Sequence, residues 1–181
     1  MYHTEGYLDK QTYFKKGHIF KFAMAQGKSL CYFWCVLEKS LSGGEREFEA
    51  RLKKWFLQEL VVQLEKGRVY IQKELNRFGS YLMKNRECYS VGEVPFLCVY
   101  FQGQVYVCGG GKSAGFSCFK EHKGVYLSNS LRNVKEIRAC AEKEISLEEK
   151  GNRFKECMLR AMSEGVLESG YFFLWEDSND F

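Results

Sequence analysis

The sequence is poor in several things that would have narrowed its function at once. It has one proline, Pro95, and three histidines, His3, His18 and His122. None of its eight cysteines forms a CxxC pair, and the histidines stand far from any paired-cysteine spacing, which argues against a zinc site. The opening stretch "MYHTEGYLDKQTYFKK" has no apolar core of the kind a secretory signal needs. No apolar run approaches the ~18 residues of a membrane span. There is no large charge of one sign: 27 basic and 23 acidic residues leave a net +4, dispersed along the chain. Nucleic-acid binding asks for a basic stripe instead. No internal repeat, low-complexity segment or Gly-x-Ser-x-Gly elbow is present. These absences predict a soluble, reduced, cytoplasmic protein that binds neither nucleic acid nor membrane, and that lacks a Ser/His/Asp or Cys/His triad.

What the chain does have is apolar and aromatic material. Hydrophobic residues make up 45% of its 181 positions and aromatic residues 16%, enough for a substantial core and too many for a disordered chain. Most cysteines sit inside apolar runs such as "SLCYFWCVL" and "FLCVYF", where a reduced thiol behaves as a small hydrophobe.

The stretch "VYVCGGGKSAGFSCF", Val105 to Phe119, looks at first like a phosphate-binding loop. The first glycine of Gly-x-x-x-x-Gly-Lys-Ser would have to stand where the chain has Tyr106. A helix should also follow Gly111-Lys112-Ser113, yet the sequence alternates there and carries aromatics, as a strand does. The glycines therefore read as backbone devices near a strand junction.

Along the chain, "HIFKFAMAQGKSLCYFWCVLE" predicts two strands around a turn at Gln26-Gly27-Lys28. A helix is expected from about Glu45 to Lys66, with Phe48, Leu52, Trp55, Phe56, Leu60 and Leu64 on one face. A second is expected from Arg68 to Arg86, with Ile71, Leu75, Phe78 and Leu82 inward. From Gly92 the period changes to two. Strands "PFLCVYF" and "QVYVCGG" flank Gln102-Gly103, and "GFSCFKEH" and "GVYLS" flank a turn at Lys123-Gly124, together forming a meander of three or four strands. His18 is expected at a strand edge and His122 in a turn. The segment from Leu131 to Gly165 is mostly helical in pattern, with Phe154, Leu159 and Met162 as its apolar positions, and the chain closes on "SGYFFLWEDSNDF", an apolar strand ending in acidic residues. Strands and helices come in runs, which predicts an α+β domain with helices covering antiparallel sheet.

This order, with its glycines, resembles the PPM-type (type 2C) metal-dependent serine/threonine phosphatases. In that family an apolar strand leads into Asp-Gly-x-Gly-Gly and a long helix; here "CYFWCVL" leads into Ser40 to Gly44, "SLSGG", and then the helix. Gly92-Glu93-Val94 stands where the family has Gly-Thr-Thr. "VYVCGGGKSAGFS" stands where it has a hairpin with Gly-Asp-Ser-Arg, and "FFLWEDS", Phe172 to Ser178, where it has "LLLcSDG". The resemblance implies one domain over residues 1–181, shorter than the family at its C-terminus. It implies an α-β-β-α sandwich of two mostly antiparallel sheets with helices on the outer faces.

It also implies a site, and the residues there depart from the family. Members hold two Mg²⁺ or Mn²⁺ ions in a cluster of aspartates, as hard cations require. Here the family's aspartates fall on Ser40 and Lys112, its hairpin arginine on Ala114, and only Asp177 stays acidic. The early Arg…Asn-Glu-Asp element should precede the first strand, near "KKGHIFKFAM", where no acidic cluster exists. The late Gly-Asn-Asp element would lie beyond Phe181. The implied cleft is formed by Glu38, Ser40, Lys112, Ser113, Glu176 and Asp177, with Asp177 as the one matching metal position. Lys112 is expected to pair with Asp177 or Glu176, each a carboxylate within reach of its ammonium.

Three functions follow. The first is a pseudophosphatase with no cofactor, a binding or regulatory module in phospho-signalling that engages a protein partner or phosphoprotein. The second is an active phosphatase with a remodelled Mg²⁺ or Mn²⁺ centre around Glu38, Glu176 and Asp177. The third is an unrelated α+β interaction module.

Overall fold

Glycine sets both hairpins of the first sheet. In the computed structural model, which describes residues 2–9, 19–37, 44–89, 95–109, 114–118, 122–128, 135, 139, 144–165 and 169–176, β2 (Ile19–Gln26) turns into β3 (Ser29–Val36) through Gly27, whose φ is 62°. β4 (Phe96–Phe101) turns into β5 (Gln104–Gly109) through Gln102 and Gly103, with φ of 49° and 75°. Positive φ at both central residues of the second turn, and at the first central residue of the first, gives mirror-image turns whose twist matches the flanking strands. Both hairpins fall where the sequence placed them, and Pro95 stands just before β4, where its missing N–H costs no ladder bond.

The chain divides into two compact units, residues 15–111 and residues 1–14 with 112–181. The first unit holds an antiparallel sheet in the order β2-β3-β4-β5. Three helices pack on one face of it: α1 (Glu45–Lys54), which runs through a π-helical segment (Trp55–Leu60) into α2 (Val61–Leu64), and α3 (Arg68–Lys84). All ten apolar positions expected of these helices are buried. They meet Phe20, Cys31, Phe33, Cys35, Leu97, Val99 and Phe101 of the sheet in one cluster. Trp55 stacks flat on Phe78, with ring centroids 4.4 Å apart. The alternate residues Trp34, Val36, Phe96, Cys98 and Tyr100, on the other face of the strands, are buried as well.

The π-helical segment has a cause in the spacing. Phe48, Leu52, Phe56, Leu60 and Leu64 recur every four residues. Four residues wind an α-helix about 400°, so each step overshoots by about 40° and the series by about 160°. The wider i→i+5 turn takes up that overshoot and keeps the stripe on the sheet.

The second unit holds an antiparallel sheet in the order β1-β8-β7-β6, from β1 (Tyr2–Asp9), β6 (Ala114–Cys118), β7 (His122–Ser128) and β8 (Ser169–Glu176). Helix α4 (Leu147–Ser163) packs on one face of it, with Phe154, Met158 and Ala161 against Tyr126, Phe172 and Leu174. Ser146 caps this helix, its hydroxyl accepting from the Glu149 amide at 3.2 Å.

Several expectations are corrected here. β1 was not anticipated: it is a polar edge strand that pairs along its whole length with β8, and charge on an edge strand weakens the alternation signal. The single meander is two hairpins in two different sheets, since period-two patterning says nothing about which sheet a strand joins. Lys123 and Gly124 lie within β7 and not in a turn, and His122 begins that strand. Gly124 is glycine because Leu174 of β8 leans over it, leaving only 2.4 Å to where a Cβ would be. In α4, Leu159 is exposed and the buried stripe runs instead through Gly151, Phe154, Cys157, Met158 and Ala161.

Candidate functional site

Three strands of the second sheet end level with one another. Tyr2 of β1, Glu176 of β8 and His122 of β7 are partners across the ladder, with His3, Trp175 and Lys123 forming the next rung. Paired residues share a face, so the rungs His3–Trp175–Lys123 and Glu5–Phe173–Val125 lie on the side of the sheet away from Phe172 and Leu174. His3 stacks on Phe173, with ring centroids 5.0 Å apart and planes 15° from parallel. Tyr171 donates its hydroxyl to Glu5 Oε1 at 2.8 Å, a cross-strand bond from β8 to β1. Burial, and then the charge of Glu5 and this bond, push the Tyr171 phenol well above its ordinary range, so it stays a neutral donor and is not a base.

Of the anticipated cleft residues, Glu176 lies here, half-buried at the end of β8. Glu38, Ser40, Lys112, Ser113 and Asp177 lie outside the described residues, and so does the expected Lys112 ion pair. The elements that lead to them are described. β3 runs to Val36 and a buried Leu37, and α1 starts after Gly44, whose φ of 72° is the left-handed conformation that favours glycine in "SLSGG". β5 ends at Gly109 and β6 starts at Ala114, so "GGKS" connects strands of different sheets and precedes no helix. The phosphate-loop reading of that stretch fails on this connection.

His3, Glu5 and Tyr171 were missed because β1 was missed. The usable signal was the alternation in "YHTEGYLD", which puts Tyr2, Thr4, Gly6 and Leu8 on one face. β1 also relocates a segment. Residues 10–18, "KQTYFKKGH", connect β1 to β2, and they contain three lysines and no carboxylate.

Three of the described thiols, Cys31, Cys98 and Cys108, are poor nucleophiles. Burial pushes Cys31 up to about 12 and raises Cys98 and Cys108 as well, and a thiol so shifted is protonated and inert near neutrality. Among the described residues no three of His, Cys, Asp or Glu are grouped to hold a metal. The residues expected at ligand positions from the resemblance, Ser40, Lys112 and Asp177, comprise one carboxylate, one hydroxyl and one cation, and all three lie outside the described residues.

No protein-family model matches the sequence, and no curated protein matches it. The structure does have counterparts. It is similar to the serine/threonine phosphatase Stp1 from Staphylococcus aureus, with a TM-score of 0.51 and 11% identity over 99% of this chain and 96% of that one. It is also similar to a variant of a bacterial serine phosphatase, with a TM-score of 0.55 and 11% identity over 98% of this chain and 99% of that one. The shared property is the fold. The α+β architecture of two antiparallel sheets with helices, expected from the resemblance to the phosphatases, is the one these structures have in common with this chain.

Proposed function

We propose that this chain is a catalytically degenerate phosphatase-like domain, a pseudophosphatase of the PPM type that works as a binding or regulatory module in phospho-signalling. The observation that carries this reading is the chemistry of the segments leaving the strands. "KQTYFKKGH", "EKSLSG" and "GGKS" supply five lysines and one carboxylate, Glu38, and "DSNDF" after β8 adds Asp177 and Asp180. A binuclear Mg²⁺ or Mn²⁺ centre needs several converging carboxylates. A lysine-rich set favours an anion directly, so a phosphoprotein or another anionic protein partner is the ligand class that suits it. The fold likeness to bacterial serine/threonine phosphatases supports the scaffold side of this reading.

The test has two arms. Purified protein dialysed against Mn²⁺ should retain no stoichiometric metal, and should hydrolyse p-nitrophenyl phosphate no faster than a protein-free blank containing Mn²⁺. Turnover that disappears in Asp177→Ala would establish the remodelled metal centre around Glu38, Glu176 and Asp177 in place of this reading.

A further inference from the structure

Four of the six large hydrophobic residues exposed among those described fall within fourteen positions of one helical corner: Leu57 at 42% exposure, Val62 at 54%, Val69 at 63% and Tyr70 at 51%. They are not a leftover of the core stripe, which faces the sheet through Phe56, Leu60 and Leu64. Leu57 and Val62 lie on the outward side of the π-helical segment and α2, and Val69 and Tyr70 open α3 directly after the turn. Lys66 bridges the two helices, its ammonium 6.0 Å from the centre of the Tyr70 ring. The rim is cationic: Lys53, Lys54, Lys66 and Arg68 are all exposed around these residues. The one exposed acid of the corner, Glu65, accepts a hydrogen bond from Gln26 Nε2 at 3.1 Å.

We infer that this corner is a docking surface for an acidic amphipathic helix of a protein partner. An apolar strip rimmed by charge marks an interaction site more often than a solvated surface does. The partner that complements it is a helix presenting apolar residues at three- and four-residue spacing, with carboxylates on its flanks to meet the lysines. A face-to-face pairing of two copies would set Lys53, Lys54 and Lys66 against their own kind. A membrane-adsorbed helix sinks a broad apolar face ~5–10 Å into the lipid boundary, and here the broad face is already committed to the sheet. The inference does not depend on whether the chain hydrolyses phosphate.

The probe is a labelled peptide of about three heptads with leucine at the core positions and glutamate on the flanks. Its control is a peptide of the same composition in shuffled order. Fluorescence anisotropy with the full chain should show binding of the first and not the second, weakening as salt is raised. Affinity should drop about tenfold or more in Lys53→Glu/Lys66→Glu and, separately, in Leu57→Ser/Val62→Ser, each variant retaining its circular dichroism and melting transition. Equal binding of the shuffled peptide, or no effect of either double substitution, overturns the proposal. So does capture of the chain by phosphatidylserine vesicles without peptide binding, or self-association that the same substitutions abolish.

Discussion

The two units of this chain solve the same problem, a helix layer on an antiparallel sheet, with opposite materials. In the unit of residues 15–111 the contact is made by large side chains: Trp55, Phe56 and Phe48 stack edge and face with Phe33, Phe20 and Phe22, and Phe78 stacks on Trp55. In the other unit Phe154 still meets Phe172 edge to face, with ring centroids 5.3 Å apart, but the closest approach is made by leaving atoms out. Gly151 of α4 sits over Thr4 of β1, where a Cβ would lie 2.7 Å from Oγ1, and Gly6 of β1 lies under the Phe172 ring, 2.4 Å from where its own Cβ would be. Large residues hold a helix at a distance and fill the gap, whereas glycine lets backbone approach backbone. The first kind of interface should therefore fail by cavity formation, the second by overpacking.

The largest effect is expected where the aromatic interface is cut. Trp55→Ala removes a fully buried indole, its stack on Phe78, and the bond its Nε1 donates to Glu74 Oε1 at 2.9 Å. A loss of ~3–5 kcal/mol is expected from urea unfolding followed by circular dichroism. A loss below ~1 kcal/mol would mean that the stack is not the centre of that core.

A middle-sized effect should come from filling the other interface. Gly151→Ala should cost ~1–3 kcal/mol through overpacking, although alanine is the better helix former. Thr4→Ala in the same chain removes the two atoms nearest the new methyl, Oγ1 and Cγ2, and leaves Cβ at 3.3 Å. The double variant should therefore be more stable than Gly151→Ala alone. If Gly151→Ala stabilises the protein, the close approach of α4 to β1 is not what selects glycine.

The smallest effect separates packing from the polar rim that surrounds it. Glu59 accepts from Arg51 Nη1 at 2.8 Å and from Arg77 Nη2 at 3.1 Å, and Arg77 also grips Glu74. Burial tends to raise the Glu74 carboxyl, but hydrogen bonds from Arg77 and Trp55 outweigh it and hold the group below the usual carboxylate range. A depressed carboxylate adds stability that is fully present above its unfolded value of ~4.3 and is lost as pH falls through the folded value. Glu74→Gln should flatten that acid limb by about 1 kcal/mol, since Arg77 is half exposed and water screens the pair. An unchanged acid limb in the variant would assign the whole of the interface to packing.

The same contrast decides what could be read in advance. Phe48, Leu52, Trp55 and Leu75 announce their helices because large apolar residues at regular spacing are visible in any window. Gly151, Cys157 and Ala161 carry the buried stripe of α4 almost silently, and the larger Leu159 and Met162 beside them drew the reading to the wrong face. β1 was hidden for a related reason, since His3, Thr4 and Glu5 advertise polarity while their backbone completes a ladder. The expected site rested on a pattern of family positions, with Ser40, Lys112 and Asp177 placed in order along the chain, and these three lie outside the described residues. Glu176 was placed correctly at a strand end, but its ladder neighbours Tyr2 and His122 come from distant parts of the chain, and no local spacing could have brought them together.

The π-helical turn in the first unit makes that helix sensitive to length in a way that differs from its sensitivity to identity. A conservative exchange among Phe48, Leu52 or Leu60 leaves each residue pointing where it did. Deleting one residue between Trp55 and Leu60 would let the wide turn relax into ordinary α-helix and leave the upstream face nearly where it was, because the wide turn holds one residue more than an α-turn for about the same rotation. A deletion at Lys53 or Lys54, outside the wide turn, would instead swing everything upstream by about 100°. Phe48 would then leave the sheet, and the charged residues beside it, Glu47 or Glu49, would arrive in its place. Natural single-residue deletions should therefore fall within these six positions more readily than in the α-helix before them.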